Sequence, residues 1–308
     1  MGIGNRIENK STEKEAVLTS VSPISPIFSM TDLILPRSTV SALLDFLSYQ
    51  RYEDLVFNQW GLISTHKYQR QRAINFYGDS GTGKTMAAHA IANEIGKQLV
   101  IVNYAELESK YVGETSKNIT KLFEDAKKED AIILFDEADA MLSRRVSDMR
   151  SSADVSVNQT RSVLLTLMNQ YNGIIIFTTN FIENYDPAFM RRILSHIHFS
   201  LPDTEGREKL WKKYIPERLP NSADIMILSE KSKGLSGSDI ANCVLKAALS
   251  AARKGDHMLE ISHFLDAINE VNNSKTANLK PAGLVTIEQR NVSEEYVKEK
   301  ISLTGDVI

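Results

Sequence analysis

Residues 78–85 read Gly78, Asp79, Ser80, Gly81, Thr82, Gly83, Lys84, Thr85. Three glycines followed by a lysine and a hydroxyl at this spacing make a loop that holds phosphate. The glycines let the backbone bend until successive N–H groups face one anion. Lys84 is placed to reach the β- and γ-phosphates, and the Thr85 hydroxyl to ligate Mg²⁺. The loop needs a strand before it and a helix after it. Residues 72–77 supply a short apolar strand. Ala87, Ala88, Ile91, Ala92 and Ile95 recur at helical spacing, and Gly96 stops the run. The N-terminus of that helix adds partial positive charge. A chance Gly/Ser/Thr loop ending in lysine has no reason to carry both flanks.

Two further strands end in polar residues. Ile132–Phe135 is a buried run that stops at Asp136 and Glu137. Ligands of open α/β sheets bind at the carboxyl ends of strands, so Asp136 falls in the Mg²⁺ shell. Glu137, one residue on, is free to polarise an attacking water. Ile174–Thr179 repeats the design and ends at Asn180, which can bond a γ-phosphate or the water. In isolation that asparagine would simply turn the chain. Asp186–Met190 then leads to Arg191 and Arg192. An arginine that reaches a transition-state phosphate across a subunit boundary raises rates by roughly 10³–10⁵. Solvated arginines on a surface helix are the plain alternative.

These residues require a scaffold, and the chain is long enough for one. It has 308 residues, a formal net charge of −3 and one cysteine, Cys243. One cysteine excludes an intrachain disulfide and a Cys-based zinc site; in its apolar stretch Cys243 reads as a small buried hydrophobe. No apolar run reaches the ~18–20 residues of a membrane helix, and the N-terminus lacks a secretory apolar region. The expectation is a cytoplasmic protein without a membrane partner. The acidic balance, without a helix-turn-helix or basic cluster, speaks against nucleic acid.

The domain expectations are a flexible tail over 1–28, an α/β nucleotide-binding domain over 29–202, a helical lid over 203–272 and a C-terminal tail over 273–308. A helix is expected near 38–50 with Ser38 as N-cap. Strands are expected at 72–77, 98–103, 131–136, 173–179 and 196–201, alternating with helices as in a parallel sheet. After Pro202 only helical stripes remain, and Ser236 with Asp239 opens one of them as a capping box. His196 and His198 alternate on one strand face; without a third ligand nearby they are expected to be satisfied strand histidines. No His-Glu-x-x-His occurs, which argues against a built-in zinc protease.

The order of P-loop, Asp136–Glu137, Asn180, arginine pair and a lid opening at Gly234–Ile240 resembles the AAA family of the AAA+ ATPases over about residues 70–272. The resemblance implies an α/β fold: a P-loop module with a parallel sheet flanked by helices, followed by a small all-helical lid. It implies ATP and Mg²⁺ between the two parts, ATP hydrolysis, and a homo-oligomer, usually a hexameric ring. The Arg191–Arg192 pair is similar to the paired fingers of the microtubule-severing and ESCRT-disassembly branch. Lys110, Tyr111 and Val112, followed by Gly113–Glu114, resemble the pore loop of substrate-threading members, where a bulky aromatic can wedge against an extended polypeptide. Arg144, Arg145 and Arg150 make either a second pore loop or a solvated loop. Related proteins place adenine against backbone before the P-loop strand, here near Trp60 and Gly61; Trp60 as core is the alternative.

Ser238 stands where many AAA+ branches carry a phosphate-sensing arginine, which suits the AAA family proper. It departs from the pachytene-checkpoint remodellers of HORMA-domain proteins, although the compact build is similar to their bacterial relatives in antiphage signalling. The implied function is a ring motor that remodels a protein substrate by threading it through a pore. About 70 residues precede the P-loop, so the client is expected to be chosen by the tails, the ring face or an adaptor. The alternatives are a nucleic-acid loader or initiator and a small-molecule P-loop kinase. Tyr111 favours the protein substrate.

Overall fold

The computed structural model describes residues 22–66, 72–103, 115–143, 152–181 and 185–279. Its centre is a five-stranded parallel sheet: β1 (Ala73–Tyr77), β2 (Leu99–Asn103), β3 (Ile132–Asp136), β4 (Ile175–Thr179) and β5 (Ile193–His198), in the order β2-β3-β4-β1-β5. The middle strands are apolar without alternation because helices cover both faces, which is what parallel sheets require. The pleat divides their side chains between two cores. Ile133, Phe135, Ile175 and Phe177 pack with α3 (Thr115–Lys128) and α5 (Ser152–Gln170), and Phe135 stacks on Phe177 at 5.3 Å. Ile132, Leu134, Ile174 and Ile176 face the other way, toward α1 (Arg37–Asp54) and α2 (Lys84–Ile95). A one-turn helix, α4 (Asp139–Leu142), follows β3, and another, α6 (Pro187–Met190), precedes β5.

Among the described residues, four helices follow the sheet: α7 (Thr204–Tyr214), α8 (Ile225–Lys231), α9 (Gly237–Lys254) and α10 (Ile261–Leu279). Their starts are written in side chains. Asp203, Asp224 and Ser236 each accept a backbone N–H of the first turn, and Ser236 and Asp239 form the expected capping box. Trp211 is fully buried, donates to Ser232 at 2.9 Å and meets Phe264 edge-on. Arg207, also buried, ties α7 to the carbonyls of Ser229 and Pro202. Cys243 is buried in α9. Contacts divide the chain after Ile268, and everything below concerns the N-terminal side of that division. No helix among the described residues is long and apolar enough to cross a membrane.

The structure differs from expectation at three places. Residues 22–28 are not all tail: Ile24 exchanges two backbone hydrogen bonds with Leu99, covering the β2 edge, and the Ile27 N–H points to His89. Helix α1 starts at Arg37 behind an extended Pro36 rather than at a Ser38 cap, and runs on to Asp54. Strand β5 begins three residues early, because Ile193 already pairs with Ala73 directly after the arginine turn. Burial lowers the pKa of His196, opposed by a hydrogen bond to the Met190 backbone. His198 stacks on Tyr77 at 4.9 Å.

Tyr171, between α5 and β4, donates to the Ala131 carbonyl at 2.7 Å, and burial pushes its pKa from 10.0 up to about 12. A folded chain that keeps this proton longer than the unfolded one loses stability as pH rises from 10 toward 12. Guanidinium midpoints should therefore fall across that window. Tyr171→Phe should flatten part of the fall while lowering stability at pH 8 by about 1 kcal/mol. An unchanged pH slope in the variant would refute the assignment.

Candidate active site

The parallel register brings three strand tips to one end of the sheet. Tyr77 of β1 pairs with Thr179 of β4, and Phe135 of β3 with Phe177. The phosphate loop leaves β1 at Gly78, whose φ is +141°. A Cβ there would stand 2.2 Å from the Phe199 carbonyl oxygen, and one on Gly81 (φ +75°) 1.8 Å from Ser238 Oγ. Glycine is thus required twice, once by the neighbouring strand and once by the lid. Thr82 closes the loop by donating to the Asp79 carbonyl.

Lys84 opens α2 and is almost wholly buried. Its ammonium donates to the Gly78 carbonyl at 2.7 Å, the Asp79 carbonyl at 2.9 Å and Asn180 Oδ1 at 3.0 Å. Burial lowers its pKa, opposed by the charges of Asp139, Asp136, Asp79 and Glu137. The Thr85 hydroxyl lies 3.2 Å from both Asp136 carboxylate oxygens. Buried Thr178 bridges the acids: its hydroxyl donates to Asp136 and accepts the Glu137 N–H at 3.1 Å. Glu137 has φ +53°, in a region non-glycine residues seldom enter. Such strain persists where the surroundings over-determine it, and it collects at functional sites.

These groups line one cavity of about 280 Å³. Its walls include Ser80 to Thr85, Asp136, Glu137, Thr178, Thr179 and Asn180, and on the lid side Leu210, Tyr214, Gly237 and Ser238. The Ser238 N–H donates to the Gly81 carbonyl at 3.3 Å, so the start of α9 rests on the phosphate loop. Asp32–Pro36 add a further wall, with Ser200, Pro202 and Lys213 beside them. Gly61 is not part of the lining, and Trp60 is 68% exposed, neither core nor cavity wall. The lining there comes instead from residues 32–36, held by the Ser29–Asp32 turn and by Lys213. They were missed because they carry no motif.

Asp139 was missed as well. Its carboxylate accepts the N–H groups of Asn180 at 3.0 and 3.2 Å and of Phe181 at 3.1 Å. The string Asp136–Ala138–Asp139 contained the signal, an acid one turn past the strand end. Arg191 and Arg192 lie elsewhere. They precede β5, at the opposite end of the sheet from the cavity, a strand length of about 17–20 Å away. Arg191 is exposed, whereas Arg192 donates to Asn169 and to the Ala188 carbonyl. Lys110, Tyr111 and Val112, and likewise Arg144, Arg145 and Arg150, lie outside the described residues.

Sequence comparison agrees with this geometry. Residues 74–201 match the family described as ATPase family associated with various cellular activities (AAA), and residues 222–266 match the AAA+ lid domain. The chain carries an AAA ATPase domain followed by an AAA+ lid domain. Among similar proteins, the proteasome-activating nucleotidase of Saccharolobus islandicus (strain M.14.25 / Kamchatka #1) is 34% identical over 209 residues, 65% of this chain and 53% of that protein. The Methanopyrus kandleri nucleotidase of the same name is 33% identical over 212 residues, 66% and 48%. That of Methanosarcina mazei is 32% identical over 222 residues, 69% and 53%. The chain thus spans about half the length of the curated relatives it matches.

The cavity fits a nucleotide: a glycine-bent loop, a buried lysine and apolar walls at Leu33, Leu35 and Leu210. It also fits Mg²⁺. Thr85 and Asp136 put oxygens side by side, and no cluster of three or more metal-ligating side chains exists among the described residues. A cation held by one or two protein oxygens and completed by phosphate and water is the usual magnesium arrangement. Gly81→Ala should weaken nucleotide binding roughly tenfold, since a left-handed alanine costs about 1–2 kcal/mol before any clash with the lid. Adding Ser238→Gly should recover only part, because Ser236 Oγ would still lie 2.6 Å from the new methyl. Titration with a fluorescent nucleotide measures both; wild-type affinity in Gly81→Ala would show that the loop relaxes freely.

Proposed function

We propose that this chain hydrolyses ATP and works as a ring of identical subunits, a motor on protein substrates; the observation that carries this is the division of catalytic groups between opposite ends of one sheet. Lys84, Thr85, Asp136, Glu137 and Asn180 belong to the cavity end, and Arg191 and Arg192 to the other. An arginine pair that cannot turn back into its own cavity is of use to a neighbour's.

In this reading Lys84 exchanges its bonds to the Gly78 and Asp79 carbonyls for phosphate oxygens. Thr85 and Asp136 would hold Mg²⁺, which would supply neutralisation of phosphate charge. Glu137, aimed by its left-handed backbone, accepts a proton from water in line with the terminal phosphate. Asn180 bonds that water or the γ-phosphate. Arg191 stabilises the developing charge in the adjoining subunit, while Arg192 holds the turn that presents it. The lid follows the loop through Ser238.

Two things support a protein substrate: the Lys110–Val112 segment, whose aromatic suits sequence-tolerant grip on a polypeptide, and relatives whose name joins a nucleotidase to a proteasome. A HORMA-domain client has no residue behind it, since Ser238 replaces the arginine of those remodellers.

Glu137→Gln should bind nucleotide normally and turn over at least about 100-fold more slowly. Arg191→Ala should lose turnover with affinity intact, and activity should return partly when it is mixed with Glu137→Gln chains, because each then lends what the other lacks. Glu137→Gln held in ATP should retain a protein that Tyr111→Ala releases. Normal turnover in Glu137→Gln would refute the catalytic assignment, no recovery on mixing the shared site, and retained nucleic acid in place of protein the substrate class.

A further inference from the structure

Helix α4 is one turn long, and both of its ends are tied to other parts of the machinery. At its start the Asp139 carboxylate takes the N–H groups of Asn180 and Phe181, the two residues that leave β4. At its end the Leu142 carbonyl accepts the N–H of Asp186, whose side chain caps α6 by accepting from Ala188. Arg161, buried in α5, braces the same turn through the Ala140 carbonyl and Ser143 Oγ, both at 2.7 Å. Asn180 in turn meets Lys84 at 3.0 Å. A continuous set of hydrogen bonds therefore runs from the phosphate-loop lysine, through Asn180, Asp139 and α4, to the short helix that leads into Arg191.

We infer that Asp139 is a positioning residue: its carboxylate sets where the Asn180 side chain stands against Lys84, and α4 links that position to the arginine turn. The inference rests on the ATPase reading above for its kinetic consequence, though the clamp is a matter of structure alone. Two amides share one carboxylate, so a shift of the β4 exit must either drag α4 or break charge-assisted bonds, which are about twice as strong as neutral ones. A displacement of about 1 Å in a reacting or positioning group can cost 10²-fold in rate.

The test compares Asp139→Ala, Asp139→Asn and Asn180→Ala, and the double variant Asp139→Ala/Asn180→Ala, in the full chain. Asp139→Ala should lower kcat roughly 10- to 100-fold with KM for ATP changed less than about threefold. Asp139→Asn, which keeps an acceptor oxygen, should recover much of the loss. The double variant should be no slower than Asn180→Ala, because a residue that acts through Asn180 has nothing to add once Asn180 is gone. Hydrogen exchange at the Asn180 and Phe181 amides should speed up in Asp139→Ala and be largely restored in Asp139→Asn. Additive losses in the double variant, or unchanged exchange, would overturn the inference. If the wild-type chain hydrolyses no ATP, the ATPase reading fails by itself, and the exchange measurement still decides the clamp.

Discussion

A single buried hydroxyl holds the site in register. Thr178 donates to Asp136, accepts from the Glu137 N–H, and stands on the strand that ends in Asn180. Asp136 receives the Thr85 hydroxyl in turn. The phosphate-loop helix, the acidic tip of β3 and the polar tip of β4 are therefore fixed relative to one another through one side chain, 1% exposed. Away from water these bonds have no competitor, and leaving one of them unmade would cost about 1–3 kcal/mol. Glu137 can sit in its left-handed conformation because its neighbours on both sides are held.

What the sequence made legible was what depends on local pattern. Unbroken apolar runs marked the strands because helices cover both faces of the sheet, and the capping box at Ser236 announced α9. The phosphate loop declared its own chemistry. What stayed hidden depends on long-range pairing. Residues 24–36 show no period, since Ile24 is ordered by Leu99 and the Ser29–Asp32 turn lies against Lys213. The start of β5 was concealed by the two arginines before it; charge there suggested surface, yet Ile193 already pairs with Ala73. Gly61 suited a base-binding position by order alone, and order does not say which loop folds over the cavity.

The lid is attached to the sheet by few but specific contacts. Arg207 gathers the Pro202 and Ser229 carbonyls at the root of α7, Lys213 bonds the Asp32 carbonyl, and the Ser238 N–H meets Gly81. The first lies in the lid's own foundation. The other two cross the cavity, one to residues 29–36 and one to the phosphate loop. Burial of a ligand between them would be felt on both sides at once, because each wall is already bonded to the lid.

The separation of Arg191 from the cavity has a consequence for symmetry. In the proposed assembly, a contact that joins one end of a sheet to the opposite end of another copy can be exchanged reciprocally in an antiparallel two-fold pair or passed on head to tail. Passed on, it either closes on itself or grows without limit, and any open chain leaves one cavity without arginines and one arginine pair without a cavity. Damage to the arginine turn would then be felt next door and not at home. Under that arrangement the unit on which function depends is the junction between two copies, which neither copy contains.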